Sequence, residues 1–181
     1  MRLFLLIVSG LFALAAPAFA DQTDQRLDAL FQELRSGDAL SAEETTDRIL
    51  EIWADAQSDT VDLLYARALE SADAGDFELA SALLDHVTGL APSFAQGYAL
   101  RGVVALSLAD QAGAIADFSK ALELEPRQFE VRIALAEILL GNNEKRDAYE
   151  MFQKALEWNP HDDHARRRAR ALRNELAGQE I

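Results

Sequence analysis

The chain has 181 residues, half of them hydrophobic, with nine Gly, four Pro and no Cys. So few turn formers exclude a many-stranded β protein, and the missing Cys exclude disulfides, thiol chemistry and a lipid anchor on an N-terminal Cys. The formal charge of −14 disfavours nucleic acid and anionic lipid as partners and favours basic ones.

Residues 1–20 carry one charge, Arg2, and two apolar runs, Leu3–Val8 and Leu11–Ala16. Small residues at Ala18 and Ala20 precede the first acidic residue, Asp21, so a secretory signal cleaved after Ala20 is expected, placing the chain in the periplasm or outside the cell. The competing reading is a retained membrane anchor, since residues 3–20 nearly reach spanning length. Pro17 and the small-residue ending favour cleavage, after which no stable membrane insertion is expected.

Residues 21–60 predict two helices. Leu27, Leu30, Phe31 and Leu34 form one apolar stripe and Ile49, Leu50, Ile52 and Trp53 another. Ser41 with Glu44 has the spacing of a capping box at the start of the second helix.

From Val61 onward the chain repeats at an offset of 34 residues. Pro92, Pro126 and Pro160 superimpose, as do Ala80, Ala114 and Ala148; Leu84, Phe118 and Phe152; Val87, Ala121 and Ala155; and Ala68, Gly102 and Ala136. Paired helices approach closely where side chains are small, bulky residues fill the hole beside them, and each Pro ends the second helix. Gly75–Asp76 marks a stop and an N-cap, Asp110 is the N-cap expected in the second copy, and Asn142–Asn143 stands in that place in the third.

These columns resemble the signature of the tetratricopeptide repeat family. The resemblance covers three repeats, 61–94, 95–128 and 129–162. It implies an all-α fold, a right-handed superhelix of helical hairpins. The third repeat matches best, and in the first Leu84 and Val87 replace an aromatic residue and an Ala. Residues 27–60 fall in the same period, but Thr46 and Trp53 stand where later repeats have small residues, so 21–60 is read as a degenerate hairpin. Residues 163–181 are expected to form a basic capping helix and tail, with Ala165, Ala169, Leu172 and Leu176 inward and Arg166, Arg167, Arg168, Arg170 and Arg173 outward.

In this family the inner surface is lined by the first helix of each repeat. The resemblance therefore assigns a partner-binding groove to Asp62, Tyr65, Leu69, Ala72 and Asp73; to Gln96, Ala99, Val103, Leu106 and Ser107; and to Glu130, Ile133, Glu137, Leu140 and Gly141. Tyr65, Leu69, Ala99, Val103 and Glu130 replace the Lys, Arg and Asn with which some members clamp acidic peptide ends, so that clamp is not expected. An apolar middle between acidic ends suits a helix or extended segment carrying Lys or Arg. Partial filling by the chain's own terminal helix is the competing expectation.

The arginine cluster reads as a contact patch for an acidic partner, as a solvated cap, or as one half of a weak head-to-tail contact, because 17 of the 31 acidic residues lie in 21–94. His161 and His164 with Asp162 and Asp163 make an incomplete metal set, and Asp162 or Asp163 is the expected cap of the last helix. No nucleophile–base set, phosphate loop or cofactor fingerprint is present, so neither catalysis nor a cofactor is expected. The function these features imply is a non-catalytic adaptor binding a peptide or envelope protein. The alternative is a structural subunit acting by self-association or within an envelope complex.

Overall fold

A computed structural model describes residues 24–178, the side chain of Ala39 excepted; the expected signal at 1–20 and the end of the tail lie outside these. Among the described residues there are nine α-helices and no strand: α1 Gln25–Ser36, α2 Ala39–Ala54, α3 Asp59–Asp73, α4 Phe77–Leu90, α5 Ala95–Ser107, α6 Gln111–Leu124, α7 Phe129–Gly141, α8 Lys145–Trp158 and α9 Asp163–Ala177. Helices α3–α4, α5–α6 and α7–α8 are successive hairpins of an all-α solenoid, and α9 packs on α8.

Each hairpin turns in the same way. The second residue after the first helix is left-handed, Gly75 at φ +79°, Ala109 at +61° and Asn143 at +64°. Paired bonds close the turn, Asp76 N to Ser71 O, Asp110 N to Ala105 O and Glu144 N to Leu139 O, all 2.8 Å. Only Gly75 takes that conformation without a Cβ penalty. Asp76 and Asp110 then cap the second helices, accepting from Leu79 N at 3.2 Å and Gly113 N at 2.9 Å. In the third hairpin the cap position belongs to Glu144, whose side chain makes no cap bond, so Asn143 supplies the turn but not the cap.

The aligned columns form the core. Ala68, Ala80, Ala114, Ala136 and Ala148 are all fully buried, with Leu84, Phe118 and Phe152 beside them. Gly102 lies so close to Phe118 that a Cβ there would stand 2.5 Å from the ring. Arg101 fastens the first hairpin to the second. It donates to both carboxylate oxygens of Asp117 at 2.7 and 2.8 Å, to Asp85 at 2.9 Å and to Thr88 at 2.9 Å. Asp117 first, and then Asp85, hold its guanidinium pKa above the ordinary value.

The hairpin α1–α2 departs from this pattern. Its start differs from the capping-box expectation at Ser41 and Glu44: α2 begins at Asp38, whose carboxylate accepts from Leu40 N at 3.1 Å and Ser41 N at 3.0 Å, leaving Ser41 inside the first turn. These bonds, the Ser41 N–H foremost, lower the Asp38 pKa. Its position differs as well, for α1 lies against α8 and α2 against α5. The hairpin thus folds back over the inner face instead of extending the stack.

The physical reason is aromatic. Phe31 meets Trp53 at 5.7 Å and Trp158 at 5.4 Å, and Trp53 meets Phe129 at 5.8 Å. Leu27, Leu30, Phe31, Leu34, Ile49 and Trp53 are buried in one cluster with Phe129 and Ala155. A Trp at Trp53 is too large for the close contacts of a stacked repeat, and it fills the wider gap between the hairpin and α7.

A polar latch completes the docking. Glu125, fully buried, accepts from Arg127 at 2.7 and 2.9 Å and from the Trp53 indole at 3.3 Å. Arg127 also reaches Asp28 at 2.9 Å and covers the Phe31 ring. Its pKa is raised, chiefly by the Glu125 carboxylate. The expectation that a terminal helix fills part of the groove therefore changes its subject: the filling element is the N-terminal hairpin, while α9 caps the far end.

Candidate functional site

What α1–α2 leaves open is a pocket of about 220 Å³ on the inner side of α3, α5 and α7. Tyr65 and Leu69 come from α3, Gln96, Ala99, Leu100 and Val103 from α5, and Glu130, Val131 and Ala134 from α7. Trp53, Phe118 and Gln128 close it. Six residues assigned to the groove from sequence, Tyr65, Leu69, Gln96, Ala99, Val103 and Glu130, meet here. They do so because successive first helices present the same repeat positions inward.

The walls are apolar and partly open. Leu69 keeps 42 % of its surface exposed and Val103 49 %, while Tyr65 is buried. Along one side runs a polar chain. Gln128 Nε2 donates to Gln96 Oε1 at 2.8 Å, and the Gln96 side chain lies beside the Tyr65 hydroxyl. Burial pushes the Tyr65 pKa up to about 12 against the opposing influence of Gln96. Gln128 is only 2 % exposed, yet its Oε1 has no hydrogen-bond partner.

Glu130 is the pocket's one carboxylate. Its surface area is open toward solvent, but the groove atoms crowded around it desolvate the charge. Desolvation first, and then the nearby Asp162, raise its pKa above the usual carboxylate value. Both effects disfavour the anion, and no basic side chain among the described residues pairs with it.

The remaining groove residues go elsewhere. Asp62 Oδ1 accepts from Ala56 N at 2.8 Å and holds the α2–α3 connector. Leu106 packs on the core of the second hairpin. Ile133 lies against the cluster that α1–α2 completes. Glu137 takes both bonds of Arg168 at 2.7 Å and one from His164 at 2.8 Å.

Arg168 therefore ties α7 to α9, and Arg166 pairs with Asp163. Arg166, Arg170 and Arg173 line a shallow depression with Tyr149 and Gln153. Arg167 is exposed on the same helix. Asp162 caps α9, accepting from Ala165 N at 2.7 Å. No group of three or more possible metal ligands occurs among the described residues. Nor is any described helix long and apolar enough to cross a membrane.

Sequence reasoning missed Trp53, Gln128 and the Glu125–Arg127 latch. Trp53 carried a signal, a large aromatic residue in a small-residue position. Gln128 and Glu125 belong to a linker whose role shows only in three dimensions.

Among the described residues, four helical hairpins and a capping helix, with an inner pocket built from the first helices of three of the hairpins, define a helical-repeat protein. Residues 105–172 match a family model described as tetratricopeptide repeat, which identifies this part of the chain as tetratricopeptide repeats. Among solved structures, the type III secretion chaperone SycD of Yersinia enterocolitica, in complex with a peptide of the translocator YopD, aligns with TM-score 0.61 and 18 % identity over 65 % of this chain and 95 % of that one. The first repeat domain of Spaghetti (RPAP3), bound to the HSP90 peptide SRMEEVD, aligns with TM-score 0.60 and 16 % identity over 65 % and 93 %. MamA aligns with TM-score 0.59 and 19 % identity over 87 % of both chains. At these identities the likeness is one of fold. A search of the curated proteins found no match.

Proposed function

We propose that the chain is a non-catalytic scaffold of the bacterial periplasm that binds a peptide or an envelope protein through the open part of its inner face. One observation carries this reading: Tyr65, Leu69, Ala99, Val103 and Val131, from three successive hairpins, converge on one partly open apolar pocket. Protein interfaces centre on such apolar patches with polar rims. Two of the structural neighbours hold peptides, which supports an interaction role. The periplasmic assignment rests on the signal-like residues 1–20.

Replacing Leu69 and Val103 by Asp puts charges on the pocket wall. A folded double variant that recovers less of the wild-type partner set from periplasmic extract supports the groove; unchanged recovery sinks it. An alkaline phosphatase fusion after Ala20, active in the periplasm, supports export, and an inactive one removes it.

Self-association is the second reading, favoured by Arg166, Arg170 and Arg173 lining a depression with no acidic residue in its wall. Sedimentation at rising salt tests it. A dimer lost at high salt, and absent when these arginines become Gln, supports it, while a monomer throughout removes it.

A further inference from the structure

The pocket holds one buried acceptor that the fold itself does not satisfy, and one carboxylate without a cation beside it. Gln128 Oε1 is buried and accepts no hydrogen bond. A buried acceptor left empty costs roughly 1–3 kcal/mol, so such groups ordinarily have partners. Two residues along, the Glu130 carboxylate is exposed at the pocket wall, and no cation among the described residues pairs with it. An acceptor and an unpaired anion, both at the start of α7, call for a group that donates several hydrogen bonds and carries positive charge.

The walls narrow the choice. Trp53 and Tyr65 supply aromatic rings, and Leu69, Ala99, Val103 and Ala134 supply an aliphatic lining. A cation over aromatic faces is favourable, and a methylene stem gains from apolar contact while its head stays polar. At about 220 Å³ the pocket is smaller than sites for drug-sized ligands, which start near ~300 Å³. It suits one side chain rather than a whole helix. Lysine, a slim stem ending in three donors free to rotate, meets these conditions better than the wider planar guanidinium of arginine.

The surrounding charge agrees, since 17 acidic residues against 4 basic ones in 21–94 create a field that draws basic segments. The geometry points to a lysine-selective subsite, in which a partner segment inserts one lysine between Trp53 and Tyr65 so that its ammonium meets Glu130 and Gln128. This rests on the groove reading above. It adds to that reading a composite character, because Trp53 belongs to the N-terminal hairpin and not to the repeats.

The test uses the full chain and a labelled peptide, Ser-Leu-Ala-Lys-Ala-Leu-Ser, with the central residue varied to norleucine, arginine or glutamate and binding read by fluorescence polarisation. The lysine peptide is expected to bind at least about tenfold more tightly than the norleucine one, the order of effect of a charge-assisted bond. Glu130→Gln should abolish that ratio and Gln128→Met should reduce it, both variants showing wild-type circular dichroism. Equal binding of lysine and norleucine peptides overturns the subsite while leaving an apolar groove intact. Tighter binding of arginine overturns the lysine assignment. Absence of binding by every peptide overturns the subsite, and the Leu69 and Val103 double variant then decides the groove independently.

Discussion

The three stacked hairpins and the N-terminal hairpin are built from the same kind of segment, two amphipathic helices and a short turn, yet they are held in different ways. The stack is held by recurrence, with small residues at the same register and one large residue beside them. The N-terminal hairpin is held by a single set of contacts, the aromatic cluster of Phe31, Trp53, Phe129 and Trp158 with the Glu125–Arg127 latch. A pattern used three times tolerates local variation, as Leu84 in place of Phe shows. A set used once does not.

The largest expected effect strikes the second region. Glu125→Ala leaves Arg127 without its bidentate partner and the Trp53 indole without an acceptor, at a cost of about 3 kcal/mol or more. Hydrogen exchange should then rise in α1–α2 before it rises in α5–α6; uniform exchange would show that the hairpin is not separately held. Next comes Gly102→Ala, which forces the Phe118 ring to move. Ala136 and Phe152 share the equivalent places, so the shift is feasible, and a loss of about 1–3 kcal/mol in denaturant unfolding is expected.

Ala109→Gly acts oppositely, relieving a left-handed Ala in a turn that Gly75 makes without strain. A gain of about 1 kcal/mol is expected, and none would mean that the turn relaxes elsewhere. The smallest effect belongs to Glu130→Gln. The native Glu130 pKa is raised, so its contribution to stability is present in acid and is lost as pH rises through the folded pKa. The amide should therefore raise the melting temperature slightly at pH 7 and not at pH 3, and a fall at pH 7 would contradict the desolvation.

The stack was legible in the sequence because its packing rule is written three times in one register. Pro92, Pro126 and Pro160 and the Ala columns align without any knowledge of space. The fold-back of residues 25–54 was not legible. The stripe Leu27, Leu30, Phe31 and Leu34 says that one face is buried but not against what, and Phe31 meets Trp158 from the other end of the chain. The same division runs through the candidate site. Tyr65, Leu69, Gln96, Ala99, Val103 and Glu130 followed from register, while Trp53 and Gln128 required the tertiary docking. Glu137 and Arg168, assigned from sequence to two separate surfaces, proved to be each other's partners.

Docking α1 on α8 also changes how the molecule is expected to come apart. An open array of repeats has only neighbour contacts, so it frays from its ends and folds from any point. Here the Asp28–Arg127 pair joins residues 99 apart in sequence, and Phe31 reaches Trp158 across a still longer stretch. Closing so long a loop slows folding, since the entropy is lost before the contacts form. Once closed, the first and last hairpins share one cluster, and neither is a free end from which unfolding can start.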